Sequence, residues 1–115
     1  MEQSFVDYKK AIADLGNDKD LYKDLLDCWF SEIQLQKTVL DDFRAKNAFA
    51  DAASYIHRIK GAAGSLGALE LFRAAQKVED ILRAKSADDL NLCLSTLFTV
   101  YEKTNAEFKE LQKNL

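Results

Sequence analysis

Residues 47–67 read NAFADAASYIHRIKGAAGSLG, a stretch that holds the only histidine of the chain and three of its four glycines. Wound at about 100° per residue with His57 at zero, Lys60, Gly61 and Gly64 fall at roughly −60°, +40° and −20°, and Ala53 and Ala50 near −40° and +20°. One stripe thus carries an imidazole, an ammonium group and otherwise only glycine or alanine. Ile56, Ile59, Ala63 and Leu66 gather about 130° away, in the i, i+3, i+7 pattern of a face turned toward a core. His57 is therefore expected to look outward.

Each glycine inside a helix costs roughly 0.5–1 kcal/mol relative to alanine. A bare face on both sides of the imidazole lets a partner's backbone and reactive group come close, which compensates for that cost. The alternative is that Gly61 and Gly64 let a neighbouring helix of the same fold pack closely. The position of the apolar stripe, on another side of the helix, speaks against it.

His57-Arg58-Ile59-Lys60-Gly61, followed by Gly67-Ala68, resembles the H-x-x-K-G-x-x-x-x-x-G signature of histidine-containing phosphotransfer (HPt) domains. The histidine, the lysine and both signature glycines stand at the family's spacing. A looser likeness to the family's N-terminal lead-in and second helix runs from Phe5 to Phe30, through Asp7, Leu15-Gly16-Asn17 and Leu25-Leu26.

Outward from this stretch the chain reads as helices. Ser4 is a candidate cap for a short first helix with Phe5, Tyr8, Ile12 and Leu15 on one face, ended by Gly16-Asn17. Asp18 opens a long second helix, expected from about residue 19 to 46, in which Leu21, Leu25, Cys28 or Trp29, Ile33, Leu40 and Phe43 recur at helical spacing. Its apolar face also takes in Tyr22, Leu26 and Phe30, so some large side chains lie at the margin. Trp29 is read as core. The resemblance implies that margin residues such as Phe30 help form an apolar patch that docks the partner.

Asn47 is the expected cap of the histidine helix and Gly67 its stop. A fourth helix follows from about residue 68 to 85, with Leu71, Ala75, Val78 and Leu82 on its core face. Ser86 and Asp89 form an S-x-x-D pattern that starts the last helix. There Leu90, Leu94, Leu97, Tyr101, Thr104, Phe108, Leu111 and Leu115 alternate steps of four and three, as in a seam packed at a shallow angle. Short loops between long amphipathic helices predict an all-α, antiparallel up-down-up-down four-helix bundle with a short extra N-terminal helix, spanning residues 1–115 as one domain.

Composition agrees. The 115 residues suffice for one core, proline is absent, and 48% hydrophobic with 30% charged residues is ordinary for a globular chain. A net charge of −3 leaves no electrostatic footprint for nucleic acid. No apolar run is long enough for a membrane span and the start, MEQSFVDYKK, is amphipathic and charged, so cytoplasmic residence is expected. Cys28 and Cys93 lack metal-site spacing and are read as buried free thiols. One histidine without acidic or cysteine neighbours cannot fill a coordination sphere, so no metal site is expected.

The chemistry expected at His57 follows from its type. An exposed imidazole offers a neutral, nucleophilic nitrogen at physiological pH. Lys60, one turn on, adds positive charge that disfavours the imidazolium and can pair with a phosphoryl group on the ring. No Walker A loop, G-x-G-x-x-G or magnesium-binding carboxylate cluster is present, so the chain is not expected to phosphorylate itself or to act as an independent enzyme. The resemblance implies a carrier: His57 takes a phosphoryl group through Nε2 from an aspartyl phosphate of a receiver domain and returns it to another receiver. Lys60 then stabilises the phosphoryl group, and Gly61, Gly64 and Ala53 belong with Phe30 to the docking face. Gly67 ends the helix, and Arg58 is given no role beyond solubility. No cofactor is expected on this chain, because the partner receiver supplies Mg²⁺. Response-regulator receivers and a hybrid sensor histidine kinase are the implied partners of a monomer. Two alternatives stand beside this: the phospho-accepting domain of a chemotaxis-type kinase, and a helical adaptor in which His57 only makes a structural hydrogen bond.

Overall fold

The computed structural model describes residues 4–115; residues 1–3, which open the amphipathic start of the chain, lie outside the described residues. The described residues form six helices and no strand: α1 (Tyr8–Asp14), α2 (Lys19–Glu32), α3 (Lys37–Ala45), α4 (Phe49–Ser65), α5 (Leu69–Leu82) and α6 (Leu90–Asn114). None of them is long and apolar enough to cross a membrane.

The helix boundaries are local chemistry. Asp18 and Asp89 cap α2 and α6 by accepting from the Leu21 and Leu92 amides. Asp7 does the same for α1 through Lys10. Ser4, the expected cap, instead hydrogen-bonds Glu107 of α6 at 2.8 Å. Asn47 does not cap α4: it sits at φ +56°, where it ends α3, and the Ala48 amide closes the turn by donating to Phe43 O at 2.8 Å. The αL tolerance of asparagine explains the switch from an N-cap to a C-terminal turn. Likewise Ser86 only steadies a loop, accepting from the Asp88 amide, and α5 ends earlier than expected through Ala84 at φ +61°.

The largest departure from expectation is that the second helix is two. Between α2 and α3 the chain turns extended, with Ile33 at φ −107°, ψ 104° and Gln36 at φ −116°, ψ 125°. Two tyrosine hydroxyls take over the backbone bonds that a continuous helix would make. Tyr101 accepts from the Leu35 amide at 3.2 Å, while Tyr55 accepts from the Gln36 amide at 2.9 Å and donates to the Gln34 carbonyl. The detour sinks Leu35 into the core, where it is buried.

A single core joins the helices, centred on Trp29, Tyr22, Phe108, Leu26, Ile56 and Ile59. The α6 seam holds as expected: Leu97, Thr104 and Phe108 are buried and the other seam residues pack at the edge. Trp29 lies among Tyr101, Phe108 and Asn105, donating to Asn105 Oδ1 at 2.8 Å. With that core slot filled by its neighbour, Cys28 is exposed rather than buried, and Cys93 is half-buried; both are free. The most extensive helix pairs are α4 with α5 and α5 with α6.

Candidate functional site

Helix α4 is anchored by its core stripe, since Ile56, Ile59, Ala63 and Leu66 are all buried. Its far end is pinned twice. The buried Tyr22 hydroxyl donates to Leu66 O at 2.7 Å, and the Asp7 amide donates to Gly67 O at 2.9 Å. Gly67 has φ +81°, and a Cβ there would run into the Asp7 carbonyl, so glycine is required on both counts. With the helix fixed, the opposite side of α4 carries His57 into solvent, its side chain 59% exposed.

Against that side lies a ridge of α5 at helical spacing: Phe72, Gln76, Glu79 and Arg83. Its contacts run antiparallel to α4. Phe72 sits on Gly64, Gln76 Oε1 accepts from Lys60 Nζ at 2.9 Å, and Glu79 reaches both Lys60 and His57. Lys60 is therefore not a free ammonium. It is 13% exposed, its Nζ lies 2.8 Å from Glu79 Oε1, and it stands 5.7 Å over the centre of the Phe72 ring.

Glu79 is the centre of the arrangement and was not anticipated from the sequence. Only 5% exposed, it is contacted by Lys60, by Arg83 Nε at 2.9 Å and by His57 Nδ1 at 3.1 Å. Burial pushes its carboxyl up, but the bonds from Lys60, Arg83 and His57 outweigh burial and hold it at about 2. The acid is thus a fixed anion. A carboxylate only accepts, so the neutral imidazole must carry its proton on Nδ1, which leaves the Nε2 lone pair bare and turned to solvent. Chemically this is an oriented nucleophile with two cations, Lys60 and Arg83, within one residue's reach. An acidic neighbour for His57 does exist, contrary to expectation, yet no cluster of three metal-ligating side chains occurs among the described residues.

The other expected site residues separate. A Cβ on Gly61 would meet nothing within 4 Å, so this glycine faces open space, whereas one on Gly64 would meet Phe72 Cδ2 at 3.2 Å. The close-packing alternative therefore holds for Gly64 and not for Gly61. Ala53 is fully buried and offers no surface to a partner. Phe30 is half-buried and stacks edge-on against Phe108 of α6, 6.5 Å between ring centres, on the α6 side of α2. An apolar groove is lined by Leu25 and Cys28 of α2, by Ile33 just after it, and by Ala62 and Ser65 of α4, and holds about 200 Å³. In the sequence, Glu79 could have been found as an acid four residues after the core residue Ala75, at the edge of the core stripe of the next helix.

Searches among curated proteins and among solved structures give no significant match. A family model described as Hpt domain matches residues 24–113 of the 115. The match takes in the histidine helix and the acid that orients its ring, and the chain therefore belongs to the Hpt domain family, whose members carry phosphoryl groups on histidine in phosphorelay signalling.

Proposed function

We propose that the chain is a phosphorelay carrier in which His57 Nε2 accepts a phosphoryl group from the aspartyl phosphate of a receiver domain and hands it to another receiver. The observation that carries this reading is the exposed His57 ring with Nδ1 bound to the buried Glu79 carboxylate, which leaves Nε2 as an outward nucleophile. Lys60, one turn from His57 and held by Glu79 and Gln76, is the cation for the transferred group. The docking face runs over open Gly61 and the groove of Leu25, Cys28 and Ile33, with exposed Leu69 beyond Gly64. The receiver brings Mg²⁺ and the acidic pocket, and a hybrid sensor histidine kinase is the source of the group.

The described residues share one core, which supports reading residues 1–115 as one domain. The antiparallel contacts of α4 with α5 and of α2 with α6 support an up-down-up-down bundle in which α2 and α3 together form one arm and α1 lies across an end.

The test mixes the purified protein with a receiver domain phosphorylated by acetyl phosphate in Mg²⁺ and follows the intact masses of both proteins. An acid-labile, alkali-stable adduct on the wild type and none on His57→Gln is the expected result. A folded protein that takes no phosphoryl group from any of several receivers would instead be a helical adaptor.

A further inference from the structure

The two nitrogens of His57 face different worlds, Nε2 toward solvent and Nδ1 toward both oxygens of Glu79, at 3.1 and 3.3 Å. The charged groups facing the ring are Lys60 from α4 and Glu79 with Arg83 from α5; Asp80 is tied one layer out, accepting from the Gln76 amide at 2.8 Å. Among the described residues no other hydrogen bond or ion pair reaches the ring.

Resting on the carrier reading, we infer that Glu79 is a positioning residue that keeps one proton on His57 Nδ1 throughout transfer, so that the phosphorylated ring stands as a phosphoimidazolium and passes its group on readily instead of storing it. The atoms balance without any proton movement. The Nε2 lone pair attacks phosphorus, the P–O bond to the aspartyl carboxylate breaks, and its electron pair leaves with that carboxylate. The ring, still protonated on Nδ1, gains one positive charge, and the Glu79 anion offsets it at hydrogen-bond distance. In the onward step an aspartate oxygen of the next receiver attacks phosphorus, the N–P bond breaks, and its pair returns to Nε2. The imidazole is then back in its starting tautomer.

Two features make the acid a holder and not a base. Its oxygens are already claimed by Lys60 at 2.8 Å and Arg83 at 2.9 Å, and a carboxylate stabilised in this way binds a proton weakly. Loss of the Nδ1 proton would leave a neutral phosphoimidazole, a far poorer leaving group, so the charge on Glu79 sets how long the phosphoryl group stays.

The experiment loads wild type and Glu79→Gln from a receiver phosphorylated with acetyl phosphate in Mg²⁺, removes the receiver, and follows loss of the phosphoryl group against pH. Glutamine keeps an acceptor for Nδ1 without the charge. The pH at which the rate falls by half is expected about one unit lower in Glu79→Gln, the low end for an opposite charge at contact because Lys60 and Arg83 share the anion. Above both midpoints the variant then decays about tenfold more slowly. A merely structural role for Glu79 scales the rate equally at every pH and leaves the midpoint in place, which overturns the inference. The ring ¹⁵N signals of phosphorylated wild type decide it without any variant: a proton on Nδ1 at pH 8 is expected, and a bare Nδ1 overturns it. No adduct on wild type at all removes the carrier reading, and this inference with it.

Discussion

One buried oxygen, Glu79 Oε2, lies 3.1 Å from His57 Nδ1 and 2.9 Å from Arg83 Nε, so the orientation of the solvent-facing imidazole is fixed from inside the fold. The other oxygen holds Lys60 at 2.8 Å. Three groups on two helices thus share a single anion, and the packing of α4 on α5 cannot be loosened without releasing the ring. That is the physical link between the core stripe of α4 and the chemistry on its opposite face.

Acid should expose this link directly. The Glu79 carboxyl is lowered to about 2 in the folded protein against an ordinary value of 4.5. A group with a depressed folded value stabilises the fold fully above its unfolded value and loses that contribution as pH falls through the folded one. Urea unfolding is therefore expected to show stability declining between about pH 4.5 and 2, with Glu79 accounting for on the order of 2 kcal/mol. In Glu79→Gln that share of the decline is absent; parallel pH profiles for the two proteins would refute it.

Lys60 separates charge from packing. Its ammonium stands over the Phe72 ring and bridges Glu79 and Gln76. Lys60→Met keeps the stem and removes the charge. Because Arg83 and His57 still satisfy Glu79, the fold should survive with a loss of about 1–3 kcal/mol. Phosphoryl uptake at His57 should fall by roughly 10–100-fold, the effect of withdrawing one electrostatic stabiliser of the transferred group. Single-turnover transfer from a phosphorylated receiver, read well below the melting temperature, measures it, and an unchanged rate would leave Lys60 a purely structural cation.

Much of this site was legible beforehand, and the part that was not has a common cause. His57, its outward orientation and the apolar stripe beneath it follow from helical period alone. The partners of His57 do not, because Glu79 and Arg83 stand on another helix and their register against α4 is set by packing. Ala53 failed for the same reason: on a helical wheel it shares the His57 stripe, and only the neighbouring helices decide how much of that stripe is covered. The break at Ile33–Gln36 carried no proline or glycine, and its cause, two tyrosine hydroxyls, comes from residues distant in the chain. Asn47 misled differently, since asparagine serves both as an N-cap and as a left-handed C-terminal residue.

Gly61 and Gly64 should part company under substitution. Gly61→Ala places a methyl in open space and relieves the flexibility of the unfolded chain, so a gain of roughly 0.5–1 kcal/mol is expected in thermal or urea unfolding. At Gly64 the same change pushes against Phe72 at 3.2 Å, and the gain should be cancelled or reversed. If the docking face runs over Gly61, Gly61→Gln should leave the fold intact and slow transfer by roughly 10–100-fold through misplacement of the reacting groups. Transfer at the wild-type rate from Gly61→Gln would move the docking face elsewhere.

The two tyrosines of the α2–α3 break differ in what their loss exposes. Tyr55 serves Gln34 and Gln36, which are exposed, so in Tyr55→Phe water replaces the hydroxyl and the cost should be about 0.5–1.5 kcal/mol. Tyr101 serves the amide of Leu35, a buried residue, so Tyr101→Phe should cost more, about 1–3 kcal/mol. Hydrogen exchange adds a local readout, in which the Leu35 amide accelerates in Tyr101→Phe and the Gln36 amide in Tyr55→Phe. Protection unchanged at both amides would mean that the hydroxyls do not hold the break.

Thr104 offers the opposite sign. It lies within the α6 seam, fully buried, and its Oγ1 has no hydrogen-bond partner. The seam thus contains a polar atom whose desolvation is not repaid, at a position otherwise flanked by Tyr101 and Phe108. Thr104→Val keeps the branched shape and replaces the hydroxyl by a methyl, so no cavity opens and no partner is orphaned. Valine's helix propensity is close to that of threonine, which leaves the desolvation term to decide the outcome. A stabilisation of about 1 kcal/mol is expected in urea unfolding, with the slope against urea unchanged. Destabilisation by a similar amount would show that the hydroxyl finds a partner in solution, most simply the carbonyl one turn back at Val100.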